Sequence, residues 1–125
     1  MVKFIVCDHC GNIAGLIKDN GPPVSCCGQK MTHLQPNTVE ASQEKHLPDV
    51  TKTAGGLSVK VGSISHPMDA DHYIDFIYVK TQKGGHRAQL NVGDAPAAEF
   101  CFAADDNPVA VYAYCNLHGL WKVEL

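Results

Sequence analysis

The hydrophobic residues after position 56 recur in short blocks that predict β-strands. Val, Ile, Tyr, Phe and Trp dominate these blocks, and Gly, Pro, Asp and Asn separate them. The predicted strands are Leu57–Gly62, His72–Lys80, His86–Val92, Glu99–Ala103, Val109–Tyr114 and Leu120–Glu124. Strands that recur every ~8–14 residues without a helical period predict an antiparallel β-sandwich.

The chain changes character near residue 35. Residues 1–35 contain four of the six cysteines but few large apolar side chains. A segment below roughly 40 residues usually needs a metal, a disulfide or a partner to fold. Residues 36–56 are polar and contain Pro and Gly, which predicts a linker and an irregular loop. The predicted domains are therefore residues 1–35 and 36–125.

Composition narrows the classes of function. The chain has 125 residues, 45% of them hydrophobic and 18% charged, as expected of a folded protein. Its formal charge of −3 argues against a nucleic-acid or membrane partner. The apolar run Phe4–Val6 is too short for a signal peptide, so we expect a cytoplasmic protein. In that compartment clustered cysteines indicate metal or redox chemistry more often than disulfides.

The N-terminal cysteines have the spacing of a metal site. Cys7 and Cys10 form a C-x-x-C knuckle, and the adjacent pair Cys26 and Cys27 precedes Gly28. Four thiolates at one point are tolerable only around a cation. Two disulfides or a structural zinc are the alternatives, and spacing alone does not separate zinc from iron because both accept tetrahedral sulfur.

A second set of metal-binding residues lies on predicted loops and strand ends, where a sandwich displays functional groups. The set consists of four histidines and one cysteine, namely His46, His66, His72, Cys115 and His118. Four imidazoles and a thiolate suit iron or copper. A copper electron-transfer site commonly has a methionine after the last histidine, and none follows here. Cys101 is predicted to be a small buried hydrophobic residue, and His33 and His86 to be surface residues.

These residues resemble a known family, the two-iron superoxide reductases called desulfoferrodoxins. The resemblance covers nearly the whole chain and rests on four motifs in one order. They are the four N-terminal cysteines, Glu44–Pro48, His66–His72 and Cys115–Gly119. It implies a desulforedoxin-like domain that holds iron in four thiolates, followed by an immunoglobulin-like sandwich that holds a second iron.

The resemblance also implies roles for the residues of the second site. The four histidines would form an equatorial plane around iron, with Cys115 axial and the sixth position open. Superoxide would be reduced there to hydrogen peroxide, with Lys45 attracting the anion and Glu44 able to occupy the sixth position in the oxidised state. The family is usually homodimeric and takes electrons from rubredoxin-type donors. The alternatives are a pure electron carrier and a structural zinc module attached to a binding sandwich.

Overall fold

The computed structural model describes residues 2–125, which fold as two compact units. The first ends at Gln35, and the second spans Pro36–Leu125. Within the described residues, no helical segment has the length and hydropathy needed to cross a membrane.

The first unit is built from short antiparallel strands around a very small core. Its strands are β1 (Lys3–Val6), β2 (Ile13–Leu16), β3 (Ser25–Cys26), β4 (Gln29–Lys30) and β5 (Thr32–His33). Strand β1 pairs with β2 on one side and β5 on the other, and β3 pairs with β4. Phe4, Ile5 and Cys7 are its buried hydrophobic residues. So small a core supports the expectation that a bound metal stabilises this unit.

The second unit contains two antiparallel sheets and one short helical turn, α1 (Gln43–His46). Its strands are β6 (Pro48–Thr53), β7 (Gly56–Val61), β8 (Ile74–Thr81), β9 (Gly85–Gln89), β10 (Ala97–Cys101), β11 (Pro108–Cys115) and β12 (Gly119–Glu124). One sheet has the order β10-β7-β6, and the other has the order β12-β11-β8-β9.

The core of this unit lies between the two sheets. Strand β7 contributes Leu57, Val59 and Val61, and the facing sheet contributes alternate residues of β8 and β11 such as Ile77 and Val111. Each of these five side chains is at most 1% exposed. The prediction of a mainly β chain with an antiparallel sandwich is confirmed.

Two strand predictions were wrong in detail. Residues 36–56 were expected to be a linker and an irregular loop, but Pro48–Thr53 forms strand β6 and pairs with β7. It is an edge strand with mostly exposed side chains, so its composition stays polar. Strand β8 begins at Ile74 instead of His72 because His72 pairs with Asp69 across a turn.

The prediction that Cys101 is buried was also wrong. Cys101 is exposed at the end of β10, whereas its neighbour Phe100 is buried in the core. Successive side chains of a strand point to opposite faces, so burial of Phe100 directs Cys101 outward.

Candidate metal centres

The four N-terminal cysteines converge in the first unit. One sulfur from each of Cys7, Cys10, Cys26 and Cys27 lies within 4.8 Å of the others. The Sγ atoms of Cys10 and Cys26 are 3.7 Å apart, and those of Cys26 and Cys27 are 4.0 Å apart. A tetrahedral metal with bonds of about 2.3 Å to sulfur would separate the sulfurs by about 3.8 Å. All four cysteines are free, so the arrangement matches a tetrathiolate site and not disulfides.

Local backbone conformation brings the adjacent cysteines to one point. Cys27 has a φ of 52°, and Gly28 follows at 73°. The left-handed conformation at Cys27 reverses the chain, so that two neighbouring side chains that would diverge in a strand can face the same ion. Backbone amides also point at the sulfurs, because the Cys10 N–H donates to Cys7 Sγ at 3.4 Å. Such bonds stabilise thiolate ligands.

Electrostatics inside the cluster show why it needs a cation. The hydrogen bond from the Cys10 backbone amide lowers the pKa of Cys7 to about 6. Hydrogen bonding with the thiols of Cys10 and Cys7 raises the pKa of Cys27 to about 12. The Cys7 thiol therefore ionises readily, whereas the Cys27 thiol resists ionisation beside the other sulfurs. A metal cation removes this conflict by pairing with all four thiolates.

Four imidazole rings meet in the second unit. Ring centroids of sequential neighbours around the cluster are 4.7 Å apart for His46 and His66, and 4.6 Å apart for His66 and His72. His118 closes the arrangement at 5.2 Å from His72 and 4.9 Å from His46. The diagonal from His46 to His72 is 6.4 Å. The four rings thus occupy the corners of a distorted square.

The four histidines and Cys115 lie at the strand ends and loops of one end of the sandwich. His46 is the last residue of α1, and His66 follows β7 with its N–H donating to the Val61 carbonyl at 2.9 Å. His72 lies just before β8, in the turn that it closes with Asp69. Cys115 ends β11, and His118 lies in the hairpin between β11 and β12.

The imidazole nitrogens are arranged as metal ligands. Nδ1–H of His46 donates to the Ser42 carbonyl and Nδ1–H of His66 to the Pro67 carbonyl, each at 2.7 Å. Burial lowers the pKa of both rings, that of His66 to about 4, so each ring is neutral and carries a lone pair on Nε2. These two Nε2 atoms are only 3.2 Å apart. Facing lone pairs repel unless a cation lies between them.

The other two histidines also direct a ring nitrogen toward the cluster. His118 Nδ1 lies 3.1 Å from His46 Nε2, and His72 Nε2 is buried with no hydrogen-bond partner among the described residues. Ligand nitrogens at about 2.1 Å from one metal, separated by a right angle, would be about 3.0 Å apart. Ligand atoms of His46, His66, His72 and Cys115 lie within 4.8 Å of one another, which fits a single ion, and His118 lies beside this cluster without belonging to it.

Cys115 adds a thiolate to the imidazoles. It is completely buried and belongs to the inner face of β11, in line with Val111 and Ala113. Burial raises the pKa of its thiol, because an isolated thiolate is poorly solvated there. Its Sγ lies 3.9 Å from His118 Nδ1 and clusters with the ligand atoms of three histidines. A bound cation is what favours the thiolate form at this position.

Glu44 and Lys45 are exposed residues of α1, immediately before buried His46. A hydrogen bond from its own backbone N–H lowers the pKa of the Glu44 carboxyl. Among the described residues, the cluster of ligand atoms does not include Glu44. Its roles and that of Lys45 in the chemistry remain predictions.

The loop after β7 holds the α1 turn in place. The carbonyl of Glu44 accepts hydrogen bonds from the Ile64 N–H at 2.9 Å and the Ser63 hydroxyl at 3.3 Å. A Cβ at Gly62 would lie 2.5 Å from that oxygen and 2.9 Å from the Leu47 carbonyl. Only glycine permits this close approach, so Gly62 helps to position the turn that carries His46.

Sequence reasoning missed Trp121. Its ring stacks on His46, with centroids 4.9 Å apart and planes at 25°, and it is 2% exposed. Its Nε1–H donates to the His118 carbonyl at 3.1 Å. A signal was available, since the chain has one tryptophan and it follows His118 by three residues. Trp121 therefore contacts both His46 and His118, two of the four histidines whose rings meet here.

Comparison with known sequences points to one family. Residues 38–124 match the sequence model of the family described as Desulfoferrodoxin. The desulfoferrodoxin of Nitratidesulfovibrio vulgaris is 43% identical over 118 residues, which cover 94% of this chain and 92% of the relative. The desulfoferrodoxin homolog of Archaeoglobus fulgidus is 41% identical over 122 residues, which cover 98% of this chain and 96% of the relative.

Solved structures give a consistent result. The superoxide reductase from Treponema pallidum superposes with a TM-score of 0.85 at 34% identity and covers 99% of both chains. The superoxide reductase from Giardia intestinalis superposes with a TM-score of 0.53 at 28% identity, covering 66% of this chain and 99% of that one.

Proposed function

Because this chain belongs to the desulfoferrodoxin family, we propose that it is a superoxide reductase, an oxidoreductase that converts superoxide to hydrogen peroxide. Its two clusters are the iron sites of this family, one with four cysteines and one with histidines and Cys115. We assign His118 to the second site as its fourth imidazole. The observation that carries the proposal is the square of four imidazoles with one buried thiolate.

The residues of the second site suit reduction of a small anion. Iron bound there supplies the single electron that, with two protons, turns superoxide into hydrogen peroxide. The neutral imidazoles bind a metal without cancelling its positive charge, which keeps the site attractive to an anion. The Cys115 thiolate donates electron density to the metal.

Lys45 and Glu44 are assigned to the entrance of this site. Both are exposed on the turn that ends at His46. The Lys45 ammonium supplies local positive charge in a chain whose net charge of −3 repels superoxide. The Glu44 carboxylate is ionised near neutral pH and is proposed to cover the metal when substrate is absent.

The decisive experiment measures products. With reductant in excess, each superoxide consumed should yield one hydrogen peroxide and no oxygen. Release of one oxygen for every two superoxide ions would identify a dismutase and contradict the proposal. Metal analysis of the same sample should find two iron atoms per chain, and zinc at the histidine site would contradict the redox role.

Replacing Lys45 with alanine should slow the bimolecular reaction with superoxide by about tenfold. The rate should also depend less on ionic strength, because salt screens an attraction that the variant lacks. Stopped-flow kinetics at several salt concentrations measure both effects. Lys52→Ala is the matched control. Lys52 is also exposed, but it lies near the end of β6 that is farther along the chain from His46. Equal rates for the two variants would remove Lys45 from the mechanism.

We propose that residues 1–35 form an electron-accepting iron domain and residues 36–125 the superoxide reductase domain of a homodimer. Cys10 and Cys27 are exposed, which favours electron exchange with a rubredoxin-type donor. The same exposure supports the second candidate, an electron carrier without superoxide chemistry. A carrier predicts that azide leaves the visible spectrum of the histidine site unchanged, whereas a reductase predicts a spectral shift because an anion can reach the metal.

A further inference from the structure

Asn116 lies between the two metal-binding residues of the β11–β12 hairpin. It follows Cys115 directly and precedes His118 by two residues, and its side chain is half-buried. Its carboxamide is turned toward a different loop, the one that leads into β8. Oδ1 accepts a hydrogen bond from the Tyr73 N–H at 2.8 Å, and Nδ2 donates to the Asp71 carbonyl at 3.0 Å.

These two contacts bracket a metal-binding residue, because Asp71 and Tyr73 are the neighbours of His72 on either side. The Asn116 backbone adds a third bond, from its N–H to the Tyr73 carbonyl at 3.2 Å. On the opposite side, Asp69 and His72 exchange backbone hydrogen bonds of 2.9 and 3.2 Å. The backbone around His72 is thus fixed from two directions, and on one side two of the three bonds come from the Asn116 side chain.

The hydrogen-bond ladder between β8 and β11 ends at Cys115 and Ile74 and does not extend to Asn116 and Tyr73. Tyr114 pairs with Phe76 and Cys115 with Ile74, which leaves Asp75 as an extra residue in β8. The bulge bends β8 at its start, next to Ile74 and a few residues after His72. Beyond it, the hydrogen bonds of Asn116 replace the ladder and join the two loops.

His72 depends on this backbone support more than His46 and His66 do. His46 and His66 each hold their ring by an Nδ1–H bond to a carbonyl. His72 has a buried Nε2 with no hydrogen-bond partner among the described residues, so only a metal can engage that atom. The direction of Nε2 therefore follows from where the loop places the residue.

We propose that Asn116 is a positioning residue that couples the Cys115–His118 hairpin to His72 and thereby sets the metal affinity of the histidine site. An amide is suited to this role because it offers one acceptor and one donor on a short side chain. Aspartate would keep the acceptor for Tyr73 but lose the donor to Asp71. Alanine would lose both bonds. The inference rests on the cluster being a metal site and does not require that superoxide be its substrate.

The test compares Asn116→Ala and Asn116→Asp with the unaltered full-length protein. The readouts are the rate at which a chelator removes iron from each site and the absorption band of the Cys115 thiolate on ferric iron. The alanine variant should lose iron from the histidine site to the chelator 10–100-fold faster, as a weaker metal affinity requires at an unchanged rate of binding, and should shift that band, with a smaller effect for aspartate. The four-cysteine site in the same chain is an internal standard and should keep its iron.

Asn107→Ala controls for the loss of an asparagine from this unit, because Asn107 is exposed in a loop outside the cluster. It should match the unaltered protein in both readouts. An unchanged chelation rate and band in both Asn116 variants would overturn the proposal. Equal loss of iron from both sites would also overturn it, since that result indicates general destabilisation. The aspartate variant conserves the size of the side chain, so the test remains valid if the alanine variant does not fold.

Discussion

Cys115→Ser is expected to abolish superoxide reduction, with a loss of more than about 100-fold in rate. Mutation of residues that merely support metal ligands already costs 10–100-fold, and Cys115 is itself a proposed ligand. Serine keeps the size of the side chain, but its hydroxyl does not ionise at neutral pH in a fully buried position. The measurements are the iron content per chain and the rate of superoxide consumption. The chain should keep only the iron of the four-cysteine site.

Cys7→Ser provides the reciprocal variant. It removes a thiolate from the other cluster, so the tetrathiolate iron should be lost while the histidine site keeps its iron. Superoxide reduction should persist when a chemical reductant supplies the electrons. If Cys115→Ser retained full activity, or if Cys7→Ser lost it under these conditions, the assignment of the reaction to the histidine site would be wrong.

Gly62→Ala is expected to impair the site without replacing any of the histidines or cysteines proposed to bind metal. The new methyl group would lie 2.5 Å from the Glu44 carbonyl and 2.9 Å from the Leu47 carbonyl, so the α1 turn must move. Overpacking of this kind costs about 1–3 kcal/mol in the free energy of unfolding. Displacement of the turn by about 1 Å should reduce the rate of superoxide reduction by on the order of 10²-fold. Denaturant titration and stopped-flow kinetics measure the two effects.

Gly84→Ala is the matched control. A Cβ at Gly84 would meet no atom within 4 Å, so this variant should keep both its stability and its activity. If Gly62→Ala behaved like Gly84→Ala, the contact between the Gly62 loop and the α1 turn would not be important for the site.

Much of the fold could be predicted because the alternation of apolar residues marks the strands of a sandwich. The strands around Ile77 and Val111 contribute side chains to a core that water does not reach. Strand β6 escaped prediction because an edge strand exposes most of its surface, and Pro48–Thr53 is accordingly polar. Cys101 was misplaced because a cysteine next to Phe100 is apolar by type, whereas its burial depends on which of the two takes the inner face.

The candidate site was predictable as a set of ligands but not as an arrangement. His46, His66 and His118 could be singled out only together with His72 and Cys115, because four imidazoles and a thiolate on loops and strand ends suit a metal whereas one histidine alone does not mark a site. Their grouping depends on contacts between residues as much as 72 positions apart, as in His46 and His118. The supporting residues Gly62 and Trp121 act through backbone proximity and ring stacking, which spacing along a chain does not encode.

The stacking of Trp121 on His46 has an optical consequence. Trp121 is the only tryptophan of the chain, so indole fluorescence reports on a single position, the ring that stacks on His46. A paramagnetic ion bound to the imidazole that stacks on it would quench that emission at short range. Loading and loss of the metal at the histidine site can thus be followed by light emission alone, in the native sequence and without an added dye.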